Sequence, residues 1–452
     1  MSGRDSTTAN PREAACRVLL HIAREGGYAD RLIDRELEKG QLAGPDRGLF
    51  PELVFGVLRR QGSLDHLLAQ LVDKPLDTLQ PQPLTILRLG LYQLAYLDRI
   101  PESAAVNESV NLAKEMVPRA SGLVNAVLRN YLRRKDALTF PDPVSAPAAS
   151  IAARHSLPEW LAAQWLDQLG FPETESLAEA SSRQPPLTLR ANTLRTTRDG
   201  LLHLFGESGV PAVPCAHSPH GILVEGRHQI PTLPGYREGM FTVQDEASQM
   251  VPLLLDPQPG ERVHDCCAAP GGKATHLAQL MANSGELLAT DISRAKLPLI
   301  REAAQRLGID CLTVATADLH RPETLPTGFF DRILLDAPCS GLGVIRRNPE
   351  AKWRLTPDDI QRLAAAQKAM CANAATMLKK GGILVYSTCS TSREENELVV
   401  QDFLSRHPDY VLEDLNGLFP DYRELFTTEG MFRAWPHRHG MDGFFAARLR
   451  KV

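Results

Sequence analysis

The chain has 452 residues, of which 43% are hydrophobic and 23% charged, and its formal net charge is −4. A chain of this length holds about two or three domains with cores of their own. Its charge balance gives no global positive field, so a nucleic-acid partner would have to bind through local basic patches. The polar start and the lack of a long apolar run predict a cytoplasmic protein without a membrane span. Eight cysteines without a CxxC pair argue against a disulfide scaffold and a zinc site, so no metal is expected.

Residues 1–140 are predicted to form an all-helical domain. Apolar residues recur at helical spacing, as at Leu84, Leu87 and Leu91, which is typical of helices that bury one face. Breaks at Gly and Pro divide the stretch into about six or seven helices. The basic residues 133–135 that end it fit either a favourable charge at a helix C-terminus or a contact with RNA phosphate.

A proline-rich linker, FPDPVSAP at 140–147, separates this domain from the next. Residues 150–238 then alternate helices and strands, which predicts a small α+β module. Three arginines, Arg190, Arg195 and Arg198, lie on or beside its first strand. A polar sheet edge and an RNA-binding surface explain them equally well.

From 239 to 452, strands and helices alternate in the doubly wound manner, which predicts an α/β domain with a Rossmann-like sheet. The predicted strands are 262–265, 287–290, 312–315, 333–335 and 382–386, followed by an antiparallel edge strand at 442–448.

The loop after the first strand of this sheet is rich in small residues. Ala268, Ala269, Gly271 and Gly272 allow the backbone to approach a ligand closely. The loop lacks both the GxGxxG fingerprint and the GKS/T of a P-loop, so the sequence disfavours pyrophosphate binding.

Carboxylates follow the next strands. Asp291 lies 20 residues after Gly271, where an acidic side chain can accept hydrogen bonds from ribose hydroxyls, and Asp318 is placed to reach an adenine edge. Carboxylates without a phosphate cradle suit an adenosyl ligand that carries a positive charge. The sequence therefore predicts S-adenosylmethionine as the cofactor.

Two strands deliver a thiol to the same edge of the sheet. One ends in Asp336-Ala-Pro-Cys339, and the other ends in Thr388-Cys389. Because open α/β sheets bind ligands at the carboxyl ends of their strands, we expect one site with two thiols.

Methylation at a ring carbon explains why such a site needs cysteines. The C5 atom of a pyrimidine becomes nucleophilic only after a thiolate adds at C6, and the thiol is expelled after methyl transfer. One cysteine would attack, and a second could act in the proton and release steps. Asp336 is placed to polarise the base during addition, and Lys273 is a candidate neighbour of the thiolate, or else a plain surface lysine.

Four motifs, CCAAPGGK, LLDAPCSGLGVIRRNPE, YSTCS and DGFFAARL, resemble those of the cytosine-C5 RNA methyltransferases of the Nop2/NSUN/RsmB superfamily. The helical start is similar to the NusB-like RNA-binding domain. This combination implies the RsmB branch, which methylates C5 of a cytosine in 16S ribosomal RNA. The implied partner is 16S ribosomal RNA or an early small-subunit particle, with the protein as a monomer. A transfer RNA or another ribosomal site as substrate, and a non-catalytic RNA-binding assembly factor, remain as alternatives.

The resemblance also implies residue roles. Cys389 would be the nucleophile and Cys339 would assist product release, with Asp336 polarising the base. By analogy, Arg346, Arg347 and Lys352 would line the RNA path. The implied cofactor contacts are Cys267, Ala268, Ala269, Pro270, Gly271, Gly272, Lys273, Asp291, Asp318 and Asp336.

Overall fold

The computed structural model describes residues 10–226 and 228–452. The predicted helical domain begins at residue 1, but residues 1–9 lie outside these ranges. The chain forms two compact units, one of residues up to 184 together with 345–354, and one of 185–344 together with 355–452. The predicted division into three domains stays a prediction. No helix in the described ranges combines the length and the hydrophobicity that a bilayer span requires.

The first unit is helical, as the apolar spacing predicts. Its first helix begins where the side chain of Asn10 accepts a hydrogen bond from the backbone N–H of Arg12 at 2.9 Å, and it ends at Gly26. Fully buried Phe50, Leu53 and Leu87 lie in the core that these helices share. The helices are α1 Pro11–Glu25, α2 Ala29–Glu38, α3 Gly44–Ala69, α4 Pro81–Tyr96, α5 Glu102–Met116, α6 Ser121–Arg134, α7 Pro147–His155, α8 Glu159–Leu169 and α9 Phe171–Ser182.

Helix α7 was not predicted, because its start coincides with the proline-rich linker. Pro147 occupies its first turn, a position where proline is favoured because the missing N–H would have no partner there. The residue after α7, Ser156, accepts a hydrogen bond from the backbone N–H of Gly62 in α3 at 2.8 Å. This contact makes α7 part of the helical unit.

The second unit contains a small antiparallel sheet with strand order β2-β3-β1-β4. Leu189, Phe205, Ile222 and Phe241 are fully buried and form its core, so the predicted α+β module is confirmed. Its elements are β1 Leu187–Ala191, α10 Arg198–Glu207, β2 Ala212–Pro214, β3 Gly221–Val224 and β4 Phe241–Val243.

The larger sheet of this unit has the order β10-β12-β9-β8-β5-β6-β7, and the pairs from β9 to β7 are all parallel. The predicted doubly wound arrangement is confirmed. Its strands are β5 Arg262–Asp265, β6 Glu286–Asp291, β7 Leu312–Thr316, β8 Phe330–Asp336, β9 Leu378–Thr388, β10 Tyr410–Leu412, β11 Phe432–Ala434 and β12 Phe444–Lys451. Its helices are α11 Glu246–Leu255, α12 Gly272–Leu280, α13 Leu297–Leu307, α14 Pro357–Thr376, α15 Glu397–Arg406, α16 Leu415–Leu418 and α17 Pro436–His439.

The prediction that the last strand lies at an edge was wrong. Strand β12 is antiparallel, as expected, but it lies between β9 and β10, and Val411 of β10 pairs with Arg450. A strand as short as β10 is too brief to show a period-2 pattern, so the sequence did not reveal the true edge.

Chain order along the sheet reverses between β5 and β8. The chain runs outward from β5 through β6 to β7, and then returns to add β8 on the other side of β5. Loops that leave neighbouring strands in opposite directions open a crevice at the carboxyl ends, which is where ligands bind in this class of sheet. The strands β5, β8 and β9 therefore deliver their C-terminal residues to one crevice.

Two glycines fix the loop that follows β8. The backbone N–H of Gly343 donates to the carbonyl of Cys389 at 2.9 Å, and that of Gly443 donates to the carbonyl of Gly343 at 2.9 Å. A Cβ atom on Gly343 would lie 2.0 Å from the carbonyl oxygen of Gly443. Only glycine fits this approach of two backbones, since the obstructing atom belongs to a main chain.

We therefore expect Gly343→Ala to lower the free energy of unfolding by about 1–3 kcal/mol, because the two backbones must separate. Thermal or urea unfolding measures the change. Gly206→Ala is the matched control, since Gly206 lies on α10 and an added Cβ atom there would meet open space. This variant should be neutral or stabilising by up to about 1 kcal/mol. Equal stability of the two variants would contradict this account of Gly343.

Candidate active site

The two strand-end cysteines lie side by side. Strands β8 and β9 pair in parallel with Asp336 opposite Ser387, so the loops that follow them leave the sheet together. The sulfur atoms of Cys339 and Cys389 are 3.3 Å apart, and both side chains are partly exposed. The structure thus brings together the two thiols that the sequence assigns to one site.

The environment of Cys339 favours its protonated form. The hydrogen bond with Cys389, followed by burial, raises the pKa of Cys339 well above its ordinary value. A thiol that keeps its proton is a hydrogen-bond donor. Cys339 is therefore suited to stabilise a thiolate on Cys389, which is the form that attacks.

A partly buried ion pair lies beside the thiols. The ammonium of Lys273 donates to one oxygen of Asp336 at 2.7 Å, and the hydroxyl of Ser387 donates to the other at 2.8 Å. The ammonium also lies 4.9 Å from the ring centre of Phe444. Burial alone would lower the pKa of Lys273, but the charge and hydrogen bond of Asp336, together with the charges of Cys389 and Asp265, raise that pKa. Lys273 is thus a charged residue of the site, and the alternative of a plain surface lysine is excluded.

The loop that carries Cys267 to Lys273 connects β5 to α12. Its backbone is fixed by Asp291 at the end of β6, which accepts from the backbone N–H groups of Ala269 at 3.2 Å and Ser293 at 2.8 Å. Gly271 has a φ of +109°, and a Cβ there would lie 3.1 Å from the Cα of Ile300. The turn therefore requires glycine, because its φ is positive and the backbone of Ile300 lies against it.

Asp318 follows β7 and lies farther along the same edge. Its carboxylate accepts from the backbone N–H of His320 at 2.9 Å and lies 3.5 Å from the guanidinium of Arg321. Asp336, Asp291 and Asp318 thus stand at the ends of β8, β6 and β7. Their assignment to cofactor binding remains a prediction, supported by this common edge.

Sequence reasoning missed Asp265, which ends β5 at the centre of that edge. It is fully buried, and no group in the described residues completes a hydrogen bond to either of its oxygens. Burial, and then the charge of Asp336, raise the pKa of Asp265 to about 7. The charge of Lys273 and the backbone N–H of Cys267 lower the pKa of Asp265 but do not offset its burial, so a further positive group beside this carboxylate would be favourable. Its place directly before CCAAPGGK was the signal available in the sequence.

Arg190 was also misread. It faces neither a polar edge nor RNA, because its side chain is fully buried. Its guanidinium donates to the carbonyl of Gly272 at 2.7 Å and to the hydroxyl of Thr275 at 3.0 Å. Burial lowers the pKa of Arg190 to about 9. Arg190 therefore supports the first turn of α12, directly behind the glycine loop.

Two of the three residues expected along the RNA path are buried. Lys352 is buried in the helical unit, where its ammonium donates to the carbonyl of Arg59 at 3.2 Å, and burial lowers its pKa to about 7. Arg346 is also buried, whereas Arg347 is partly exposed. Lys352 and Arg346 do not face solvent in this structure, so their placement does not support the expected RNA contact; for Arg347 it stays a prediction.

The raised pKa of Asp265 leads to a prediction about the stability of the protein. A pKa raised from 3.8 to about 7 means that the folded state holds a proton that the unfolded state has lost between these pH values. The wild-type protein therefore loses stability as pH rises from about 4 to 7. Asp265→Asn carries no such charge, so its advantage in unfolding free energy should grow across that window to a few kcal/mol, on the order of 1–4.

Urea unfolding at several pH values measures this difference, with exposed Asp409→Asn as the control. A constant difference between Asp265→Asn and wild type from pH 4 to 8 would mean that Asp265 is not buried as a free carboxylic acid.

Comparison with protein families divides the chain into three matches. Residues 9–133 match the NusB family, 157–231 match an RsmF/B-like ferredoxin-like domain, and 252–450 match 16S rRNA methyltransferase RsmB/F. The expected NusB-like start and the small α+β module are thereby confirmed, together with the methyltransferase fold at the C-terminal end.

Similar proteins cover nearly the whole chain or more than half of it. The probable ribosomal RNA small subunit methyltransferase B of Synechocystis sp. is 40% identical over 98% of this chain and 99% of its own length. A methyltransferase homolog protein from Pyrococcus horikoshii has a TM-score of 0.60 and 32% identity, and the match covers 69% of this chain and 100% of that one. NSun6 from Pyrococcus horikoshii with SFG has a TM-score of 0.57 and 25% identity, over 64% and 96%. The chain belongs to the RsmB family of ribosomal RNA small subunit methyltransferases.

Proposed function

We propose that the protein methylates C5 of a cytosine in 16S ribosomal RNA, using S-adenosylmethionine and a covalent bond between Cys389 and C6 of the base. The observation that carries the proposal is the 3.3 Å separation of the Cys339 and Cys389 sulfurs, beside the Lys273–Asp336 ion pair. The names of the relatives support ribosomal RNA as the substrate. Methylation of an exocyclic amino group needs no thiol, so the paired cysteines favour ring-carbon chemistry.

The first step is attack of the Cys389 thiolate on C6. Electron density then builds up on the ring, where it must be stabilised. The exocyclic amino group of cytosine can donate to Asp336, and the ammonium of Lys273, which Asp336 keeps charged, can offset the negative charge that develops at N3. Cys339, whose sulfur lies 3.3 Å from that of Cys389, can donate a hydrogen bond that stabilises the thiolate before attack.

The second step needs removal of the C5 proton and departure of Cys389. Two of the causes that raise the pKa of Cys339, the hydrogen bond with Cys389 and the charge of Cys389, disappear when that sulfur becomes a thioether. Cys339 can then release its proton to solvent, and its thiolate can take the C5 proton. Cys389 leaves as the thiolate, so both sulfurs return to their starting states and one proton is released in the cycle.

The residues at the β5 end of the crevice fit the cofactor. Asp265 offers a fully buried carboxylate whose pKa burial raises to about 7, which suits a group that carries positive charge. Asp291 and Asp318, at the ends of β6 and β7, are suited to accept hydrogen bonds from ribose hydroxyls and from an adenine edge. When bound, S-adenosylmethionine supplies the methyl group that C5 of the activated base accepts. The structure of NSun6 from Pyrococcus horikoshii with SFG supports a ligand site in this fold.

Bisulfite sequencing of ribosomal RNA tests the proposal. One protected cytosine in 16S ribosomal RNA should disappear in cells that lack the protein and return on expression of the wild type. Cys389→Ala should not restore it, because the nucleophile is absent, whereas Cys311→Ala should restore it, since Cys311 lies at the start of β7, away from the crevice. Protection that returns with Cys389→Ala would overturn the mechanism, and a lost site in transfer RNA would change the substrate.

Cys339→Ala should trap the reaction after methyl transfer. Without a group to take the C5 proton, the bond between Cys389 and C6 persists, and a protein–RNA adduct that survives denaturation should accumulate on a gel. The double variant Cys339→Ala/Cys389→Ala should form none. Normal turnover without an adduct in Cys339→Ala would remove Cys339 from the release step.

A further inference from the structure

A single buried carboxylate connects the two cysteine loops. Each cysteine is followed by a serine, Ser340 after Cys339 and Ser390 after Cys389. Both serine hydroxyls donate to the same oxygen, Oε2 of Glu395, at 2.5 Å, and they lie 3.0 Å from each other. The loops that carry the two thiols therefore meet on one acceptor atom.

The other oxygen of Glu395 is also occupied. Its Oε1 atom accepts from the backbone N–H of Ser340 at 2.8 Å and from the side-chain amide of Gln367 in α14 at 3.0 Å. The same amide donates to the carbonyl of Pro338 at 2.9 Å. The exposed fraction of Glu395 is 0%, so these donors replace the water that a carboxylate would otherwise bind.

The next residue fixes the backbone around Cys389. The side-chain amide of Asn396 donates to the carbonyl of Ser390 at 2.9 Å, and its oxygen accepts from the hydroxyl of Thr388 at 2.5 Å. The residues on both sides of the nucleophile are thus held by the segment that precedes α15. Glu395 and Asn396 thus bind the residues that flank the two thiols.

The charge of Glu395 also affects the two-thiol site, through the pKa of Cys339. After the hydrogen bond with Cys389, burial and the charge of Cys389, the charge of Glu395 is a further cause that raises the pKa of Cys339. A negative charge behind Cys339 disfavours a second thiolate, so it helps to keep the two sulfurs in different protonation states.

We propose that Glu395 is a positioning residue of the two-thiol site, which holds the Cys339 and Cys389 loops together through Ser340 and Ser390 and so keeps the two sulfurs within hydrogen-bond distance. The catalytic meaning of this role rests on the proposed function. The geometric role does not, because it concerns only the distance between two sulfur atoms.

Phenylarsine oxide tests whether the two sulfurs lie close enough to bind one arsenic atom. One arsenic atom bonds two neighbouring thiol sulfurs and releases one water molecule, and the reaction needs neither RNA nor activity. Mass spectrometry of peptides identifies the bridge between Cys339 and Cys389 in the full-length protein, and Cys339→Ala provides the sample in which that bridge cannot form. A failure of the proposed function would leave this measurement intact.

Glu395→Gln keeps the volume of the side chain but replaces one acceptor oxygen by a donor, so two of its four hydrogen bonds must reverse their direction or break. We expect bridging to slow by about tenfold and methyl transfer to fall by about 10–100-fold, while the affinity for S-adenosylmethionine stays within about twofold of wild type. Glu395→Asp, which keeps the carboxylate, should recover part of both rates. Glu302→Gln makes the same change on the exposed side of α13 and should behave as wild type.

Loss of folding in Glu395→Gln would move the test to Ser340→Ala and Ser390→Ala, each of which removes one link to Glu395. Slower bridging in either serine variant supports the proposal. Unchanged bridging in a folded Glu395→Gln, or in both serine variants, would overturn it, even if methyl transfer fell.

Discussion

The parallel pairing of β8 with β9 is the constraint on which the site depends. Its register places Asp336 opposite Ser387, so the loops that follow the strands start at the same level of the sheet. Because side chains alternate between faces along a strand, a slip of one residue would reverse the face of every following side chain. The 3.3 Å separation of the sulfurs therefore requires this register. The backbone N–H of Ala337, which donates to the carbonyl of Ser387 at 2.8 Å, extends the pairing beyond the strand.

The charged residues around this pairing differ in how completely they are paired or hydrogen-bonded. Lys273 and Asp336 satisfy each other, and Glu395 is surrounded by hydrogen-bond donors, whereas Asp265 has no complete hydrogen bond among the described residues. A paired buried charge stabilises a fixed geometry, while an unpaired one lowers stability until a partner binds. Lys273, Asp336 and Glu395 therefore help to fix the geometry of the site, whereas Asp265 is available to a ligand. Functional sites commonly retain such a locally unfavourable group.

Much of the fold followed from local patterns. Helical spacing of apolar residues predicted the helical unit, and the apolar runs closed by DAPC and STC predicted β8 and β9. The patterns failed where an element was short or where its start coincided with a turn signal, as with β10 and α7. A three-residue strand carries too little periodicity to be recognised, and a proline favours a linker and the first turn of a helix alike.

What the sequence determined by itself is the chemistry available at the site: two thiols, a glycine turn and carboxylates, each placed at the end of a strand. Only the tertiary structure decided which charges are buried and which atoms meet. Arginine and lysine side chains usually lie at the surface, yet Arg190 and Lys352 are both buried. Arg190 packs against α12, and Lys352 donates to the carbonyl of Arg59. Glu395 lies 55 residues from Ser340 in the chain, and no local pattern predicts their contact. The burial of a side chain and its hydrogen-bond partners depend on residues that are distant in sequence, and the folded chain alone brings these residues together.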